Sequence, residues 1–237
     1  MKTIKFFAVA ALLAISSGAY AQFTNASTSS SSTSVNTEGW STIWVEYNPI
    51  KVKYDVSGAD DDSMNGYSAG YSKAFGISQG TPLFLEVGLG LQYANYNDSK
   101  KVYISGYGST NVEQDITIWA AKVPVNLIYC YTIPNSSISL MPFIGATLRY
   151  NLSGTLKYEV SSLDYSEKYD LFDKKDIEEI NFQDGKAWKR FQLGYQIGLK
   201  ARFGQNFMAG LSYGNDLSEI AYKTKVQTTS ITVGYTF

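Results

Sequence analysis

The chain of 237 residues carries 20 basic and 21 acidic side chains and no histidine, for a formal charge of −1. That balance gives no basic footprint for nucleic acid, and a single cysteine, Cys130, cannot close an intramolecular disulfide. Zinc lacks its usual ligands, and hydrolytic chemistry lacks its commonest base.

Two lysines, Lys2 and Lys5, precede an apolar run from Phe6 to Ile15, and Ala19-Tyr20-Ala21 supplies a small-x-small cleavage site. This is the pattern of a secretory signal peptide over residues 1–21. The apolar run is well short of the roughly 20 residues a membrane helix needs. Removing Lys2 and Lys5 leaves 18 basic residues against 21 acidic ones, a charge of −3. Cleavage before Gln22 leaves no N-terminal cysteine for a lipid anchor. Residues 22–39 are rich in Ser, Thr and Asn and read as a flexible periplasmic leader.

From residue 40 to 237 the chain alternates apolar and polar residues with period two, the pattern of strands. The first strand, about Ser41 to Val56, places Ile43, Val45 and Tyr47 on one face. Ile50, Val52, Tyr54 and Val56 join that face only after a slip of one residue, which predicts a β-bulge at Asn48-Pro49. The second, about Met64 to Ser78, sets Tyr67, Ala69, Tyr71, Phe75 and Ile77 against Gly66, Ser68, Gly70, Ser72 and Ala74. Lys73 falls among the apolar residues, so either it snorkels to the periplasmic rim or the strand phase differs there. The third strand, Leu83 to Tyr96, sets Leu85, Val87, Leu89 and Leu91 against Glu86, Gly88, Gly90 and Gln92. A loop is expected over Asn97 to Asn111.

The fourth strand, Glu113 to Tyr131, sets Trp119, Val123, Val125, Leu127 and Tyr129 against Lys122, Pro124, Asn126 and Cys130. The fifth, Ile138 to Leu152, sets Leu140, Ile144 and Leu148 against Ser139, Gly145, Arg149 and Asn151. Residues 153–187 hold nine acidic residues and five lysines with no strand repeat, and read as a long loop with a helical turn over Asp176 to Phe182. The sixth strand, Trp188 to Phe203, alternates seven times, and the seventh runs from Phe207 to about Asp216. The eighth, Thr224 to Phe237, ends on Ile231, Val233, Tyr235 and Phe237 against Ser230, Thr232, Gly234 and Thr236.

Eight strands with alternating long and short connections predict an all-β, eight-stranded antiparallel up-and-down transmembrane β-barrel. Tight turns fall on one side and the longer loops, near 57–63, 97–112, 153–187 and 216–223, on the other. In this register Glu46, Lys51, Lys53, Glu86, Lys122, Arg149, Arg190, Lys200 and Arg202 all face the lumen. An eight-stranded interior is just filled by side chains, so Glu46 and Glu86 are expected to pair with basic neighbours and no pore to remain.

The terminal Tyr235-Thr236-Phe237 is similar to the closing-strand signal that the barrel-insertion machinery of Gram-negative envelopes reads, which makes that machinery a partner through Phe237. At Val123-Pro124-Val125-Asn126-Leu127, Phe143-Ile144-Gly145-Ala146-Thr147-Leu148-Arg149-Tyr150-Asn151-Leu152, Gln192-Leu193-Gly194-Tyr195-Gln196-Ile197-Gly198-Leu199 and Leu211-Ser212-Tyr213-Gly214, the chain resembles the outer-membrane β-barrel domain family common in Bacteroidetes, with its OmpA-like and PorT-like relatives. The resemblance spans about Trp40 to Phe237. It implies a monomeric barrel in the outer membrane of a Gram-negative bacterium, surrounded by lipid. Its PorT-like branch implies a link to secretion or surface assembly. The peptidoglycan-binding domain of full OmpA proteins would follow the barrel, and the chain stops at Phe237, so cell-wall anchoring is not expected.

Lipid-modifying and proteolytic enzymes built on such barrels resemble one another in using a histidine base, which is missing here. No catalytic, cofactor-binding or metal-binding residue is therefore expected. The acidic runs Asp60-Asp61-Asp62 and Asp173, Asp176, Glu178, Glu179 lack the spacing of a calcium loop, and Lys174 and Lys175 interrupt the second. Tyr158, Tyr165, Tyr169, Phe172, Phe182 and Trp188, in and beside residues 153–187, either cap the barrel mouth or offer a surface to an envelope protein or a glycan.

Overall fold

The stretches from Leu83 to Tyr93 and from Phe191 to Phe203 alternate most regularly, and each forms part of a sheet that curls until its last strand pairs with its first. The computed structural model describes residues 38–55, 61–78, 80–104, 108–160, 165–180, 187–221 and 223–237. The signal peptide, the leader as far as Thr37, Val56, Asp60 and Phe182 lie outside the described residues.

Among the described residues ten strands and one helix follow in order: β1 (Trp40–Tyr54), β2 (Asp62–Gly76), β3 (Leu83–Ile104), β4 (Gly108–Tyr129), β5 (Tyr131–Thr132), β6 (Ile138–Val160), β7 (Tyr165–Asp170), α1 (Lys174–Glu179), β8 (Phe191–Phe203), β9 (Phe207–Asp216) and β10 (Thr224–Thr236). Eight of them close a ring in the order β1, β2, β3, β4, β6, β8, β9, β10, every neighbour antiparallel. The seam pairs Ile43 with Tyr235, Val45 with Val233 and Tyr47 with Ile231. Ser41 and Phe237 lock it by exchanging two backbone hydrogen bonds of 2.9 Å. Closure removes the free edges that an open sheet would expose.

Two aromatic belts ring the outside. At the lower end, with the tight turns and both described termini, Tyr71 packs on Phe237 and Phe207 on Tyr235, with ring centroids 6.5 and 5.8 Å apart. At the upper end Tyr47 packs on Tyr67 and Tyr93 on Trp119, at 5.4 and 5.0 Å. Ten residues of β4 separate Tyr129 from Trp119, roughly 25 Å of height at about 3.3 Å per residue and a tilt near 40°. Between the belts Leu91, Ile144, Ile197, Leu199, Leu211 and Val233 point outward and lie exposed. Lys73 also points outward, as its phase predicts, and reaches over the ring of Phe75 at 5.5 Å, toward the lower rim.

The upper end departs from expectation in three ways. The bulge at Asn48-Pro49 is absent: Tyr47, Asn48, Pro49 and Ile50 pair in unbroken register with Tyr67, Gly66, Asn65 and Met64. Ile50 and Val52 therefore point into the barrel and are buried, while Lys51 and Lys53 point out and are exposed. Asn97 to Asn111 is not a loop but a long hairpin, β3 running to Ile104 and β4 starting at Gly108, whose φ of 79° suits glycine. Within 153–187, β6 continues to Val160, β7 pairs with it, and α1 spans Lys174–Glu179, shifted from the predicted turn. One bulge does exist. Trp119 pairs with Ser153 and Ala120 with Asn151, so Leu152 is extra, and both Leu152 and Ser153 are exposed. Its effect is to bring Leu156 onto the inner face.

Candidate functional site

The interior is built in three tiers. The lowest is apolar: Trp40, Phe84, Ile128, Met141, Phe143 and Met208 pack across the barrel, with Cys130 buried beside them. Trp40 stacks on Phe84 at 4.5 Å, and the Arg202 guanidinium lies 5.0 Å from the Trp40 ring.

The middle tier carries charge. Lys122 Nζ donates to Glu46 at 2.6 Å, and Lys200 Nζ donates to Glu86 at 2.6 Å. Both pairs are nearly dry and fully supported. Ser68 and Thr232 donate to Glu46, while Asn126 donates to Glu86 and accepts from Gln196. Arg149 joins Asp216 and Gln192 in a third group. Buried ion pairs persist only with such additional bonds, because the desolvation of each ion has to be offset. Local backbone shape makes room for them. Gly70 and Gly90 face each other on β2 and β3 under the indole of Trp44; a Cβ on either would sit 2.5 Å from its ring atoms. The indole thereby reaches Lys122, whose ammonium lies 5.7 Å from the ring.

The top tier is apolar again and lies above the upper belt. Ile50, Val52, Met64, Ile116, Ile118 and Leu156 from the strands meet Leu171, Ile177, Trp188 and Ile220 from the crossing segments. α1 sits here because Asp173 caps it, accepting from the Lys175 N–H at 2.8 Å, and because Ile177 is fully buried. Arg190 ties the cap to the bulge by donating to the carbonyls of Asn151 and Leu152, and it stacks on Phe172 at 4.5 Å. Tyr54 and Tyr96 both donate to Asp62 on the inner wall, at 2.7 and 3.2 Å. Burial, and then the Asp62 carboxylate, push the Tyr96 phenol up to about 12 and raise that of Tyr54 as well. Two small interior cavities are present, one of about 30 Å³ between the top tier and Arg149 and one of about 20 Å³ within the charged tier beside Glu46, Glu86 and Lys200.

Of the luminal charges expected from sequence, Glu46, Glu86, Lys122, Arg149, Lys200 and Arg202 face inward. Arg190 faces the cap, and Lys51 and Lys53 are on the outer wall because their strand does not slip. Asp216, the partner of Arg149, was not among those expected, although it shares the inward phase of Met208 and Ser212. Among the described residues no group of three potential metal ligands occurs. Of the acidic runs, Asp61 pairs with Lys51, Asp62 takes the two tyrosines, Asp173 caps α1 and Glu178 pairs with Lys174. Of the aromatic residues near 153–187, Trp188 is buried and Tyr158, Tyr169 and Phe172 pack against the cap, while Tyr165 is exposed.

The sequence pattern of the outer membrane protein beta-barrel domain matches residues 7–237. The chain belongs to this family. The outer membrane of a Gram-negative cell is thus its location, lipid meets the band between the belts, and the lower end with its tight turns faces the periplasm. Among solved structures the chain is similar to Ail, the attachment invasion locus protein of Yersinia pestis, in complex with the heparin analogue sucrose octasulfate, at 20% identity over 84% of this chain and 99% of that one, with a TM-score of 0.47. It is also similar to Neisserial surface protein A, at 14% identity over 83% and 95% of the two chains, with a TM-score of 0.37. The N-terminal β-barrel domain of Pseudomonas aeruginosa OprF shares 15% identity over 84% and 100%, with a TM-score of 0.31. No curated protein matches the chain.

Proposed function

We propose that this outer-membrane barrel is a closed, non-enzymatic scaffold that acts through the extracellular sheet it raises above the membrane, and that it conducts nothing. The observation that carries this reading is the three-tier interior. A charged layer pinned by three ion-paired groups is sealed on both sides by apolar packing, and a path for ions would have to break both seals and expose the charges between them. The absence of histidine from the sequence removes the base that barrel hydrolases employ.

Above the belt β3, β4, β6 and β7 form a four-stranded wall. It presents Val102, Tyr103 and Tyr165 to the medium, each at least 42% exposed. Contact with an envelope protein or a surface glycan through this wall is the role it suits. The test joins two measurements. Single-channel recording in planar bilayers is expected to show no conductance steps. A photo-reactive residue at position 103 or 165 is expected to capture a defined extracellular partner in living cells. Steady conductance, or capture only from positions at the periplasmic rim, would contradict the proposal, and the second result would point to an accessory of a secretion or surface-assembly complex.

A further inference from the structure

On the outer wall, above the upper aromatic belt, the seam between β1 and β10 carries Lys51, Lys53 and Lys225, all exposed. Lys53 lies directly opposite Lys225, and Lys51 directly opposite Gln227. Like charges facing each other across an antiparallel pair destabilise it. Among the described residues the neighbouring charges do not cancel this. Asp61 at the start of the next strand takes Lys51 at 3.3 Å. Asp55 is exposed beyond the end of β1, where its backbone N–H binds the Lys223 carbonyl at 2.8 Å. Among the described residues no carboxylate comes within ion-pair distance of Lys53 or Lys225. Elsewhere on the same wall the signs alternate: Asp115 is opposite Lys157, which bridges Glu159.

The height of the pair narrows what would relieve it. Lys53 lies six residues beyond Tyr47 on β1, roughly 20 Å along the strand and about 15 Å above the belt. The headgroup zone of a phospholipid reaches only roughly 5 to 8 Å beyond the hydrocarbon, too low even for a lysine that bends toward it. A phosphate at the level of these ammonium groups has to be carried on a sugar that stands above that zone. We propose that Lys53 and Lys225, flanked by Lys51, bind a phosphate on the saccharide headgroup of a glycolipid in the outer leaflet.

This proposal rests on the outer-membrane placement and is independent of the contact role assigned to the β3, β4, β6, β7 wall. The test uses the full barrel in phosphatidylcholine nanodiscs doped with rough-form lipopolysaccharide that carries phosphates on its core sugars. Retention of the glycolipid is read by native mass spectrometry. The parallel arms are the same glycolipid after removal of the core phosphates, lipid A alone, phosphatidylglycerol and free inorganic phosphate. Wild-type barrel is expected to retain the core-phosphorylated form in preference to every other arm. The double variant Lys53→Gln/Lys225→Gln should bind it about thirty-fold more weakly, while Lys168→Gln on β7 binds as wild type. A heat-shifted gel mobility identical to wild type shows that the variant is folded, as expected for two exposed positions outside the membrane. Equal retention by the double variant, or retention that ignores the core phosphates, would overturn the proposal. Preference for phosphatidylglycerol, lipid A or inorganic phosphate would do the same.

Discussion

Below the upper belt and above it, β1, β2, β3, β4, β6 and β10 run on, with a bulge at Leu152 of β6, yet their two faces exchange character. Between the belts Ile197 and Leu199 face outward and Glu46, Glu86, Lys122 and Lys200 face inward. Above Tyr47 on β1 and above Trp119 on β4, Lys51, Lys53 and Asp115 face outward while Ile50, Val52, Ile116 and Ile118 face inward. The lower part solves the problem of a surface in hydrocarbon, where only an apolar exterior is tolerated. The upper part solves that of a surface in water, so its apolar residues gather around a core as they would in a soluble domain. A barrel wall thus records the medium outside it, residue by residue.

The largest effects should come from breaking the charged tier. Glu46→Ala leaves the Lys122 ammonium buried and unpaired, a change that costs about 3 to 5 kcal/mol. Urea unfolding in lipid vesicles is expected to show a loss of that order, and the double change Glu46→Leu/Lys122→Met to return most of it. Leu156→Ala removes a fully buried side chain from the extracellular core, at about 2 to 5 kcal/mol. Its loss should appear locally, as faster proteolysis of residues 165–180 with the membrane band still protected.

Reversing the outer face gives a smaller but more selective effect. Ile197→Lys puts a charge in the hydrocarbon band at about 2 to 4 kcal/mol. Thr155→Lys, on the outward face above the bulge, is expected to cost nothing measurable. Comparable losses for the two would erase the boundary at Trp119. The smallest effect is the response of the cap to base. The phenol of Tyr96 is held protonated above its ordinary value of 10.0, up to about 12, so the folded cap binds more protons than the unfolded chain in that window. Its contribution is fully present below pH 10 and fades as the pH rises toward about 12. Tyrosinate absorbance should titrate late for Tyr96, and Asp62→Asn should move that titration down.

The ring, its eight strands, the outward aliphatic rows and the inward pairing of Glu46 and Glu86 were all legible in the sequence, because alternation survives wherever the two faces meet different media. The upper end was not legible for the same reason. At Ile50 and Val52 the apolar phase moves to the other face. A one-residue slip and a change of surroundings leave the same trace in a sequence, and only the unbroken pairing with Met64 and Asp62 separates them. Residues 153–187 hid their strands because β6 shifts phase at Leu152 and because β7, with Glu167 and Lys168, lies wholly exposed on its outer side. Asp216 reads from the sequence as a strand end, although its inward phase places it with Arg149.

The exchange of faces is tested most directly by attaching a nitroxide at position 199, 53 or 50 in turn, with Cys130 replaced by Ala, and measuring its collisions with dissolved oxygen and with a water-soluble nickel chelate. The account predicts strong oxygen and weak nickel relaxation at 199, the reverse at 53, and shielding from nickel at 50. Nickel relaxation at 199 equal to that at 53 would contradict it.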